Sequence, residues 1–139
     1  MHKHVLKIMV LMIFSISLVA CGNSEAKTNN NLTYENIVNL AIEKVESEIA
    51  ERNNIEYDSS SIDYGNDLRS SSDITMWENG KYIKVVVYDK EEDDEKEITH
   101  YRLKDDELVN INGHPDIDFD SIEEQEPDYI EEKGKIIKQ

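Results

Sequence analysis

A single cysteine, Cys21, serves all 139 residues, so no intramolecular disulfide can brace the fold. Basic side chains are scarce, with 15 Lys and Arg against 31 Asp and Glu and a formal net charge of −16. That balance counts against nucleic acid as a partner, because a phosphate backbone is bound through a positive field. Aromatics make up 7% of the chain, and there is one Trp, Trp77. Long apolar runs are also missing, with one exception, Val5–Ala20, interrupted by Lys7, Ser15 and Ser17. A chain of this length builds one hydrophobic core, and hence one small domain.

The exception carries an address. Lys3 and Lys7 form a short basic start, the apolar stretch comes next, and Cys21 closes it. The run is too short and wrongly flanked for a stable spanning helix, but it suits a secretory signal peptide over residues 1–20. Leu18-Val19-Ala20-Cys21 resembles the lipobox of bacterial lipoproteins. The resemblance implies cleavage between Ala20 and Cys21, a diacylglycerol on the Cys21 thiol, and a chain held on the outer face of the cytoplasmic membrane. The competing reading is a soluble secreted protein with an unpaired Cys21. Residues 1–20 hold two of the basic residues and none of the acidic ones, so cleavage would take the charge to −18. Each buried CH₂ contributes about 0.8 kcal/mol, so two acyl chains anchor durably where one does not. After the lipidated Cys21, residues 22–33 are polar and read as a flexible tether with a span of roughly 20 Å. Anionic head groups repel the acidic chain beyond it.

Thr33 can cap a helix. From Tyr34, residues Ile37, Val38, Ala41, Ile42, Val45 and Ile49 fall on one face at helical spacing. Leu40 is the one apolar residue out of place, and the pattern predicts a helix over 34–52 ended by Asn53-Asn54. An edge strand around 60–64 is a weaker expectation. From Ile74 the period changes to two. Asn79-Gly80 favours a type I′ hairpin turn, and the register it sets pairs Trp77 with Tyr82, Met76 with Ile83, Thr75 with Lys84 and Ile74 with Val85. Ile74, Met76, Ile83, Val85 and Val87 then share one face. The opposite face carries Thr75, Trp77, Tyr82, Lys84, Val86 and Tyr88. The acidic run 89–97 reads as a solvated loop. A third strand is expected over 98–104 and a fourth over 108–112, with a turn at Asp105-Asp106. Residues 116–139 read as an acidic, irregular C-terminal tail beyond a domain at 34–115.

One amphipathic helix ahead of an antiparallel meander of about four strands is an α+β arrangement, with the helix on one face of the sheet. The lipobox, the tether, the helix, and the strands Met76-Trp77-Glu78-Asn79-Gly80-Lys81-Tyr82-Ile83 and Ile98-Thr99-His100-Tyr101-Arg102-Leu103 together resemble the small cystatin-like-fold lipoproteins of low-GC Gram-positive bacteria. Several of these are encoded on integrative conjugative elements. The resemblance implies a helix wrapped by an antiparallel sheet. It also implies a role in exclusion, the blocking of redundant transfer of such an element through contact with incoming transfer machinery. The Gln-x-Val-x-Gly and Pro-Trp hairpins of peptidase-inhibiting cystatins are missing, so that activity is not implied.

Candidates for chemistry are few. Lipid would consume Cys21, and no Gly-x-Ser-x-Gly is present. His100 sits within a predicted strand and His114 beside Pro115 in a turn, where both read as structural. Asp116-x-Asp118-x-Asp120 has the opening of a calcium loop. The sixth and twelfth positions, however, are Ser121 and Pro127 where Gly and a bidentate Glu are needed. No enzyme and no cofactor is expected, and a ligand- or divalent-ion-binding role for the acidic stretch is the alternative reading. What stands out is the sheet face away from the helix. Trp77, Tyr82, Lys84, Tyr88 and Arg102 make an aromatic and basic cluster in an acidic chain, and such residues anchor protein interfaces. That face is the expected partner-binding surface. The competing expectation is that residues 55–64 or the tail fold over it as a second small core.

Overall fold

A computed structural model of the chain describes residues 32–55, 63–90 and 95–139. The expected signal peptide, Cys21 and residues 22–31 of the tether lie outside the described residues. Helix α1 spans Tyr34–Ile55, three residues beyond the expected end. Its start is a reciprocal cap: the Asn36 amide donates to Thr33 Oγ1 at 3.2 Å, and the Thr33 amide donates to Asn36 Oδ1 at 3.2 Å. Asn36 thus does the work that Glu or Gln does in a capping box. Ile37, Val38 and Ala41 are fully buried, and Val45 and Ile49 nearly so. Each fully buried Val or Ile contributes about 1.5–3 kcal/mol.

The sheet has six antiparallel strands, not about four: β1 Ser72–Trp77, β2 Tyr82–Tyr88, β3 Glu95–Lys104, β4 Glu107–Asn110, β5 Tyr129–Glu132 and β6 Lys135–Lys138. Their spatial order is β4-β3-β2-β1-β5-β6. The chain runs outward from β1 to β4 as a meander, then returns along the outer face to add β5 on the free side of β1. Residues 116–139, expected to be a tail, therefore supply two strands and a short helix, α2 Phe119–Glu123. The expected strand at 60–64 lies partly outside the described residues, and Asp63 and Tyr64 belong to no strand. β3 begins inside the acidic run, at Glu95, and residues 91–94 lie outside the described residues.

The β1–β2 register pairs Trp77 with Tyr82, Met76 with Ile83, Thr75 with Lys84 and Ile74 with Val85, as the sequence predicts. Positive φ occurs at Asn79 and Gly80 and extends back to Glu78. The Lys81 amide is shared between the carbonyls of Trp77 (3.0 Å) and Glu78 (3.3 Å). Two more hairpins turn in the same way, at Asp105-Asp106 (φ 52° and 63°) and at Lys133-Gly134 (φ 47° and 78°). These angles match the right-handed twist of the strands they join. In the third strand Thr99, Tyr101 and Leu103 face the helix, and in the fourth it is Leu108 that packs on the core while Val109 points out. The main core is the apolar stripe of α1 against Ile74, Met76, Ile83, Val85, Val87, Tyr101, Leu103 and Tyr129.

A charged clasp holds α1 to the end of the chain. Arg69, in a single 3₁₀ turn at Arg69–Ser71, gives Nε and Nη2 to Glu131 at 2.6 and 2.7 Å. Its Nη1 and Nη2 reach Glu35 at 2.7 and 2.9 Å. Glu131 has no exposed surface and also accepts from the Tyr129 hydroxyl at 2.6 Å. Hydrogen bonds from Arg69 hold the Glu35 carboxyl below the ordinary carboxylate range. Burial, then Glu131, pushes the Tyr129 hydroxyl well above its ordinary value.

Candidate interaction surface

On the outer face of the sheet the returning C-terminal segment lies across the strands. β4 stops at Asn110, and the Asn112 side chain continues the pairing in its place. It accepts from the His100 amide at 2.8 Å and donates to the Ile98 carbonyl at 3.1 Å. A turn at Gly113 (φ 71°) redirects the chain. Asp118 then caps α2, accepting from the Ser121 hydroxyl at 2.6 Å and the Ser121 amide at 3.4 Å. Those bonds lower the Asp118 carboxyl below its ordinary value. Asp118 is thus committed to a helix start. Among the described residues, no group of three or more His, Cys, Asp or Glu side chains converges as a metal site.

α2 sets two apolar side chains onto the sheet, Ile122, which is buried, and Phe119. The Phe119 ring meets Trp77 edge-on at 5.7 Å and Tyr82 edge-on at 6.2 Å, and lies 4.0 Å from the His100 ring. The Trp77 indole donates to the Gln125 carbonyl at 3.2 Å. Glu123 reaches down to Lys84 at 3.2 Å and to His100 at 3.3 Å. Past the helix the Asp128 amide donates to the Met76 carbonyl at 2.9 Å, and its carboxylate accepts from the Asn79 amide at 2.7 Å. One segment therefore covers the middle of the face and locks the first hairpin turn.

The five residues expected to bind a partner separate accordingly. Trp77 is 4% exposed and packs edge-on against Phe119. Lys84 is tied to Glu123. Tyr88 lies apart, its hydroxyl on Asp73 at 2.8 Å and the Lys133 ammonium 5.0 Å from its ring centroid. Tyr82 is half-buried between Phe119 and the Lys81 ammonium, 4.6 Å from its ring. The Lys81 pKa is raised, first by its bond to Glu78 and further by Tyr82. Arg102 is half-buried, and among the described residues its guanidinium makes no ion pair or hydrogen bond. Across the ladders Arg102 sits between Tyr82 and Val109, which is 44% exposed. Among the described residues of this face, the strip Tyr82–Arg102–Val109 lies beyond the rim of α2, and Ile98 is also exposed. The covering residues carry a faint signal in the sequence: Asp118 with Ser121 three residues on is a cap, and Phe119 with Ile122 is one apolar pair at helical spacing.

On the opposite side of the sheet an open cleft of about 360 Å³ lies between α1 and the β3–β4 turn. Leu40 and Leu108 line it, with Glu43 and Asp106 at its rim. This accounts for Leu40, the one apolar residue off the buried stripe of the helix. No family model matches the chain, and no curated protein or solved structure matches it.

Proposed function

We propose that the protein is a lipid-anchored, extracytoplasmic protein-binding module with a cystatin-like domain, acting in the exclusion of conjugative elements. The observation that carries the reading is the order of segments at the N-terminus: Lys3 and Lys7, the apolar run, Leu18-Val19-Ala20-Cys21, and then a polar stretch that runs directly into the Thr33 cap. Twelve residues separate Cys21 from Tyr34, so a domain carried on them stands within roughly 20 Å of the bilayer. One long helix on an antiparallel sheet is compatible with the cystatin-like layout. The binding surface in this reading is the strip Tyr82–Arg102–Val109. An arginine with no ion pair among the described residues, beside a tyrosine, is the type of pair that anchors interfaces. It would receive a carboxylate of the incoming transfer machinery.

Deleting the gene from a host carrying the element and counting the transconjugants it receives tests the function. Exclusion predicts a rise on deletion and its reversal on complementation, with Arg102→Ala failing to complement although the protein accumulates normally. Uptake unchanged by deletion contradicts it.

A further inference from the structure

We propose that the β6 edge of the sheet is the side of the domain that meets the membrane, with Ile136 and Ile137 entering the headgroup layer between Lys135 and Lys138. This rests on the lipid-anchored reading above and adds an orientation to it. The first observation is where the chain enters the domain. Tyr34, in the first turn of α1, stacks on Tyr129 of β5 at 5.2 Å, and Arg69 bridges Glu35 to Glu131 of the same strand. β6 is the next strand outward from β5, roughly 5 Å further on. A chain arriving from Cys21 thus reaches the domain at the β5–β6 edge.

The second observation is composition. Residues 133–139 hold Lys133, Lys135 and Lys138 and no acidic residue, in a chain that carries 31. Lys133 is engaged with the Tyr88 ring and Lys138 with Glu126 at 2.6 Å, but Lys135 has no ion pair or hydrogen bond among the described residues. Third, Ile136 and Ile137 are 48% and 51% exposed, the most exposed large apolar side chains described. A lone exposed isoleucine is ordinary. Two in succession, flanked by lysines whose stems can lie along apolar surface, form the pattern that settles at a bilayer interface.

A strand from a second copy fits this edge poorly. Antiparallel pairing of two β6 strands about their middle would set Lys135 against Lys138 of the other copy. The shift in the β5–β6 register leaves Ile137 without a partner position, a bulge that interrupts a ladder. Glu97, the last residue of the acidic run, pairs with Arg52 at 2.6 Å toward the far end of α1. A 22-residue helix is about 33 Å long, so approach through β6 keeps Glu97 away from anionic headgroups.

The test uses the full acylated chain in vesicles of phosphatidylcholine and phosphatidylglycerol carrying a lipid-borne quencher. Ile137→Cys is labelled with an environment-sensitive fluorophore, and Val109→Cys on the opposite edge strand serves as the comparison. An acylated Cys21 is a thioether and takes no label. The proposal expects about threefold or greater quenching at 137 over 109. Lys135→Glu should remove that excess at low salt, since it reverses one charge at an anionic surface. Equal quenching at the two positions, with the chain still on the vesicles, overturns the orientation and leaves the anchor standing. Quenching at 137 that appears only when other membrane proteins are added assigns the edge to a protein partner and also overturns it. A chain that leaves the vesicles and takes label at Cys21 overturns the anchored reading, and the orientation with it.

Discussion

Glu131 is fully buried on the helix side of β5, where the Arg69 guanidinium and the Tyr129 hydroxyl donate to its carboxyl oxygens. Arg69→Ala removes the counter-charge and leaves the carboxylate stranded, which costs about 3–5 kcal/mol. The expected readout is a lower denaturation midpoint with an unchanged slope. Pairing the change with Glu131→Leu should recover a large part of the loss, because an apolar pair of similar volume removes the desolvation cost. Phe119 acts at the same scale on the other face. It covers Trp77, so Phe119→Ala should shift Trp77 fluorescence to the red and cost about 1–2 kcal/mol, less than truncating a fully buried Phe. An unshifted emission would mean that Trp77 is sheltered by other groups.

At the scale of elements, the first hairpin was legible because two independent signals agreed. Asn79-Gly80 specifies a turn, and the register it imposes sorts Ile74, Met76, Ile83 and Val85 to one side. The helix was legible for a similar reason, with a cap at Thr33 and an apolar stripe from Ile37 to Ile49. β5 and β6 escaped reading because each has four residues and a charged side chain breaks the alternation. Tyr129-Ile130-Glu131-Glu132 looks solvated until Arg69 is known to lie above Glu131. The outer face was legible in its residue types but not in its accessibility. A five-residue helix with one buried Ile offers too little periodicity to show that it covers Trp77. Because β5 pairs along β1, a chain ending at Pro127 should lose cooperative unfolding and near-UV circular dichroism. Retention of both would return residues 128–139 to the status of a tail. Gly134→Ala is a milder probe of the same hairpin. Its φ of 78° strains any side chain while the nearest atom, Ser70 Cα, is 4.0 Å away, so a loss of about 1 kcal/mol reports backbone strain alone.

For the whole molecule, pH acts on stability from both sides. The Glu35 carboxyl is held below its ordinary value of 4.5 by Arg69, so its contribution is complete above that pH and disappears as the pH falls through the lower folded value. Tyr101 and Tyr129 are shifted upward from 10.0, in each case first by burial and then by a glutamate, Glu48 or Glu131. Their contribution is complete below pH 10 and is lost as the pH climbs above it. Tyrosinate absorbance from Tyr101 and Tyr129, and from Tyr34, which burial also shifts upward, should therefore appear only above the ordinary range and together with unfolding. A single smooth titration around the ordinary value would contradict the burial of those rings. The anchored position of the domain, on which its proposed function and orientation both depend, is tested most directly by growing cells with radiolabelled palmitate. Acylation at Cys21 predicts label in the membrane-bound product and none in a Cys21→Ser variant. An unlabelled wild-type product found in the cytosol would refute the anchor.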